Sequence, residues 1–101
     1  MYRVARYNTD VISSFACADT RKLYGEQFVR RFQAIEKQAR IKLELLNAAT
    51  SLNDLSVFPG NRLEKLPQLG GKYSIRINRQ FRLCFHWSAP NATEVEIVDY
   101  H

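Results

Sequence analysis

Apolar and polar positions change their period along this chain. From about Val29 to Ala48, Phe32, Ile35, Ala39, Leu43 and Leu46 recur at three- and four-residue steps, while Arg31, Glu36, Lys37, Arg40 and Glu44 fall on other faces. That is the pattern of an amphipathic helix with one buried stripe. From Lys72 onward the period becomes two. Lys72 to Asn78 and Phe81 to Trp87 alternate on either side of Arg79-Gln80, which predicts an antiparallel hairpin with Asn78 accepting the unusual turn geometry. Ser88 to Ala92, with Pro90-Asn91, is the next turn, and Val95 and Ile97 belong to a final strand running toward the C-terminus.

Upstream, Val11 to Ala16 reads as a first strand. Asp19 or Thr20 then caps a short helix through Tyr24, which Gly25 ends by tolerating a left-handed backbone. Ser51 to Leu55 suggests one further turn of helix, and Pro59-Gly60-Asn61 breaks the chain before a strand from Arg62 to Leu66. Pro67 closes that strand, and Gly70-Gly71 opens the connection to the hairpin. This order predicts an α+β fold with an N-terminal strand and two helices packed on one face of a mainly antiparallel sheet. By strand parity Ser74, Arg76, Arg82, Cys84 and His86 share the other face, which is expected to stay partly open.

With 101 residues the chain is expected to form a single domain, residues 1–101, made of a basic N-terminal extension (1–10) and a core (11–101). Val11 stands where the compact core is expected to begin, which makes it a candidate for an alternative initiation point. The 15 Lys and Arg against 10 Asp and Glu leave a formal charge of +5, which favours a polyanionic partner without naming one. Cys17 and Cys84 stand far apart with no metal-ligand spacing around either, and only two histidines are present, so neither a metal nor a cofactor is expected. No apolar run approaches the roughly 20 residues of a membrane span and no cleavable leader is evident, which predicts a cytoplasmic protein with reduced thiols and no membrane contact.

The candidate chemistry gathers late in the chain. Arg76, Arg79 and Arg82 lie in a stretch with no acid from Lys65 to Thr93, and the sequence closes on Asp99-Tyr100-His101. Planar guanidinium groups engage two phosphate oxygens at once and stay charged, so Arg76 and Arg82 are candidates for stabilising a phosphoryl transition state. An imidazole titrates near ~6.5 and can give or take a proton, which suits His101. Tyr100 can stack on a base or bond a phosphate, and Asp99 can orient a neighbouring group. Lys65, Lys72 and Arg79 would grip a nucleic-acid backbone without reading its sequence. The bland alternatives are a solvated strand face, a frayed tail and an ordinary charged surface.

Taken together, Ser14-Phe15, Asp19-Thr20, Leu46-Asn47-Ala48-Ala49-Thr50, Pro59-Gly60-Asn61-Arg62-Leu63, Tyr73-Ser74-Ile75-Arg76-Ile77-Asn78, Phe81-Arg82-Leu83-Cys84-Phe85 and Val95 to His101 resemble the HigB branch of the RelE-like toxins. The resemblance implies a microbial-ribonuclease-type fold and a toxin of a type II toxin–antitoxin pair, a ribosome-dependent endoribonuclease that cleaves mRNA without metal and so inhibits translation. It also implies a HigA-like helix-turn-helix antitoxin as partner, with operator DNA reached only through that antitoxin. Within this pattern Arg76, Arg82, Asp99, Tyr100 and His101 carry catalysis. Glu64 departs from it, standing where certain relatives have a histidine. That departure favours a second reading, a catalytically weak binding module acting through its antitoxin as a co-repressor.

Overall fold

The computed structural model describes residues 10–100; the basic extension as far as residue 9, and His101, lie outside the described residues. Three α-helices, α1 (Ala18–Tyr24), α2 (Glu36–Ala48) and α3 (Leu52–Ser56), precede four strands, β1 (Glu64–Leu66), β2 (Lys72–Arg76), β3 (Phe81–Ser88) and β4 (Asn91–Asp99). The strands form one antiparallel sheet in the order β1-β2-β3-β4, the α+β arrangement expected from the pattern. Tyr73 pairs with Phe85, Ile75 with Leu83, and Leu83 with Ile97, so the alternating apolar residues share one face. Against that face lie Leu23, Phe32, Ile35, Ala39, Leu43 and Leu46, all buried. The helical stripe read from the sequence is therefore the core.

Three local expectations are corrected. The long helix is divided: Arg30–Ile35 is a 3₁₀ segment, and α2 proper starts at Glu36 after Ile35 leaves helical geometry at φ −115°, ψ 9°. Gly25 does not take the left-handed position after α1. Glu26 does, at φ 65°, and the turn closes by Gln27 N donating to Lys22 O at 2.9 Å and Glu26 N to Leu23 O at 3.0 Å. Thr20 does not cap α1, because Cys17 holds the N-cap position. The Thr20 hydroxyl is instead buried and accepts Ile97 N at 3.0 Å.

The expected N-terminal strand runs beside β4 but meets it at two isolated parallel bridges, Ile12 with Ala92 and Phe15 with Val95. Glu94 sits at φ 51° beside a register shift between Cys84 and His86, and this irregularity breaks a continuous ladder. Asn47 Oδ1 accepts both Val11 N and Ile12 N at 2.9 Å, fastening the segment to α2. The segment and Thr20 thus cover the exposed edge of β4. Among the described residues no helix is long and apolar enough to cross a membrane.

Candidate nucleic-acid interface

The sheet face away from the helices is less open than parity alone suggests. Ser74 and Cys84 are fully buried there, while Arg82 is 7% exposed and Lys72 5%. Long cationic side chains lie flat over this face. Lys72 Nζ donates to Glu96 Oε2 and to Glu94 O, each at 2.7 Å, so Lys72 is held in a buried ion pair rather than presented to a nucleic-acid backbone. Cys84 lies among these groups, and burial together with the nearby Glu96 charge pushes its thiol up to about 11. It is a fully buried position in the sheet.

Arg82 is the best-anchored member of the proposed pair. Its Nε donates to Ser74 Oγ at 2.7 Å, and Nη2 donates to Arg62 O at 2.5 Å and to Ser74 O at 3.4 Å. The guanidinium carbon stands 5.9 Å from the centre of the Tyr100 ring. Its cross-strand partner Arg76 is half-exposed and donates from Nε to Asn78 O at 3.1 Å. Both arginines therefore have a fixed base and a more accessible end.

Around those ends is a shallow depression of about 340 Å³, lined by Arg62, Glu64, Arg76, Asn78, Arg79, Arg82 and Tyr100. Four arginines face one glutamate, so the lining carries a strong positive excess suited to a polyanion. Other depressions are larger, such as the one of about 650 Å³ between Asp10, Val11, Tyr24, Glu44 and Asn47, but their linings lack this concentration of guanidinium groups. Chemistry favours the smaller one.

The hairpin loop supports this wall. Asn78 Oδ1 accepts Gln80 N at 2.8 Å and Phe81 N at 2.7 Å, so Asn78 shapes the loop through its side chain and not through a left-handed backbone. Gln80 then grips the end of β4: its carbonyl accepts Tyr100 N at 2.6 Å, and Nε2 donates to Asp99 Oδ2 at 3.0 Å. Tyr100 OH accepts from Gln68 Nε2 at 3.3 Å.

The structure thus brings Arg76, Arg79, Arg82 and Tyr100 together. Asp99 is exposed and held by Gln80, beside the depression and not among its lining residues. Lys65 points its ammonium over the Tyr73 ring, 5.5 Å from the centre, and Lys72 is buried as described, so neither joins the cluster. His101 lies outside the described residues. Arg62 and Gln80 were given no role in the sequence reading. The left-handed backbone of Arg62, φ 45° and ψ 58°, is what turns its carbonyl to Arg82, and no periodic signal marks it.

A small antiparallel sheet backed by helices carries this arginine-rich depression bordered by Tyr100, and the α+β arrangement is that of a RelE-like toxin. The chain belongs to the HigB-like family, described as the RelE-like toxin of the type II toxin–antitoxin system HigB, whose model matches residues 14–101. It is similar to Toxin HigB-1 of Vibrio cholerae, with 49% identity over 55 residues, covering 54% of this chain and 58% of that one. An uncharacterized protein of Haemophilus influenzae is 35% identical over 65 residues, covering 63% of this chain and 64% of the relative. The chain spans about three fifths of the length of these curated relatives.

Proposed function

We propose that the protein is a ribosome-dependent endoribonuclease that cleaves mRNA in the cytoplasm and is held inactive by a HigA-like helix-turn-helix antitoxin, through which alone it reaches operator DNA. The observation that carries this reading is the convergence of Arg62, Arg76, Arg79 and Arg82 beside Tyr100. Metal-free cleavage requires the 2'-hydroxyl to lose its proton, the 2'-oxygen to attack phosphorus, and the 5'-oxygen to leave with a proton. Guanidinium donors at Arg76 and Arg82 would stabilise the charge on the pentavalent phosphate. Arg79 would hold the flanking backbone, and Tyr100 offers a ring face to a base and a hydroxyl to a phosphate. In this reading His101 is the proton shuttle, taking the proton from the 2'-hydroxyl and delivering it to the departing 5'-oxygen, and Asp99 orients a neighbouring base or hydroxyl.

A second reading rests on Glu64. Its carboxylate lines the same depression, where it repels a phosphate, and this favours a weak catalyst that acts mainly as a co-repressor through its antitoxin. Expression in cells separates the two. Wild-type protein is expected to stop translation with transcripts cut, and Arg76→Met at matched level is expected to leave transcripts whole. Arrest with intact transcripts, or equal cutting by Arg76→Met, would reject the nuclease reading.

A further inference from the structure

Arg82 is held by Ser74 and by the Arg62 carbonyl, and the turn before Arg62 is tied to α2. Lys42, half-buried on α2, donates from Nζ to Asn61 Oδ1. Asn61 is fully buried, and its Nδ2 donates to Leu55 O at 2.9 Å near the end of α3. Only one orientation of the Asn61 amide serves both partners, since Lys42 needs an acceptor and the Leu55 carbonyl needs a donor. Asn61 N also donates to Phe58 O at 2.9 Å, and Arg62 N to Pro59 O at 3.2 Å. The turn is therefore fixed from both sides immediately before Arg62.

At Arg62 the backbone enters the left-handed region, φ 45°, which a β-carbon disfavours and which persists only where neighbouring bonds hold it. That conformation directs the Arg62 carbonyl to Arg82 Nη2. With Nε and Nη2 engaged by Ser74 and Arg62, Nη1 has no acceptor among the described residues, and its donors are the ones left for a ligand in the depression. Burial holds the Lys42 ammonium below its ordinary pKa, in keeping with a charge placed for a specific acceptor rather than for solvent.

We propose that Lys42 and Asn61 are positioning residues for the nuclease reaction: through the left-handed Arg62 they fix the edge that Arg82 presents to the scissile phosphate. The proposal rests on the nuclease reading for its kinetic consequence, but its structural half is independent of RNA. Removing the ammonium in Lys42→Met leaves the Asn61 amide held by the Leu55 carbonyl alone, which loosens the turn and lets the Arg62 carbonyl drift. Misalignment of a transition-state donor then slows the chemical step by about 10–100-fold while ground-state binding stays nearly constant. Lys42→Arg keeps a donor within reach and restores most of the rate.

The test measures kcat and KM on programmed ribosomes for wild type, Lys42→Met and Lys42→Arg, and follows the Arg82 Nη–H signals by ¹⁵N NMR in the free protein. The expected result is a fall in kcat at constant KM for Lys42→Met, faster solvent exchange of the Arg82 Nη2–H that bonds the Arg62 carbonyl, and recovery of both in Lys42→Arg. If Lys42→Met does not fold, Lys42→Gln is measured in its place, because it keeps a polar group too short to reach Asn61. An unchanged Arg82 exchange rate overturns the positioning role, as does a loss confined to KM. Wild-type protein that cuts nothing, with the exchange result as expected, sinks the nuclease reading and leaves the structural link standing.

Discussion

Arg76 and Arg82 face each other across one strand pair, yet their surroundings differ, and so do the consequences of removing them. Arg82 satisfies the Ser74 hydroxyl and the Arg62 carbonyl inside the protein. Arg82→Ala is therefore expected to lose about 1–3 kcal/mol of stability as well as cleavage, because buried partners are left unsatisfied. Arg76→Ala gives up one half-exposed bond to Asn78 and is expected to cost only about 0.5–1 kcal/mol while also losing cleavage. Urea unfolding beside single-turnover kinetics checks both, and equal stability losses would contradict the difference in burial. The pairing of Ser74, Arg76 and Arg82 on one face was legible from alternation alone. That Arg82 folds back over Ser74 was not, because parity gives the face of a side chain but not its course along that face. Cys84 makes a pH-dependent prediction on the same face. Burial keeps its thiol protonated in the fold to about 11, whereas in the unfolded chain it ionises from about 9. The stabilising contribution is complete below the unfolded value and is lost as pH rises from about 9 to 11. Denaturation midpoints should fall across that window, and Cys84→Ala should remove this part of the fall; an identical pH profile in the variant would show that other groups govern it.

At the scale of elements, the β2–β3 hairpin links the arginine wall to the end of β4. Asn78 closes the loop through two accepted backbone bonds, and Gln80 holds both Asp99 and the Tyr100 amide. Asn78→Ala is expected to lower stability by about 1–2 kcal/mol and to slow cleavage as well, since the loop that grips Asp99 and Tyr100 loosens. Asn78→Asp keeps the acceptor and should recover most of the stability, as chemical denaturation would measure; the same loss in both variants would mean that the side-chain oxygen does not hold the loop. The alternation of β2 and β3 and the stripe of α2 were legible because each repeats over several residues. The division of the helix at Ile35 and the left-handed turns at Glu26, Arg62 and Glu94 were not, because each is a single-residue event decided by tertiary packing. The N-terminal strand was legible as apolar sequence, but its reduction to two bridges follows from the irregular backbone at Glu94 in its neighbour.

For the whole molecule, the helices lie on one side of the sheet, the N-terminal segment along its β4 edge and the guanidinium cluster on the other side, so a partner can hold the helical side and leave the cluster in place. Arg76→Ala is accordingly expected to leave a stable complex with a HigA-like antitoxin in a pull-down, and release by that change would mean that inhibition acts mainly through the site. The positive charge visible in the composition is concentrated in the structure as four arginines around one depression. Three other basic residues pair with acids: Arg40 with Glu36 at 2.8 Å, Arg31 with Asp19 at 2.9 Å, and Lys72 with Glu96 at 2.7 Å. That pairing was hidden in the sequence because the partners are distant or their geometry depends on packing. In the proposed function, a shallow site with few proton-transfer groups would rely on a translating ribosome to align its substrate strand. Primer extension on one mRNA, free and then engaged by ribosomes, tests this claim most directly. The account predicts new cleavage ends only on the ribosome-engaged message, absent with Arg76→Ala, whereas equal cutting of the free message at the same positions, or no new ends on either, would contradict it.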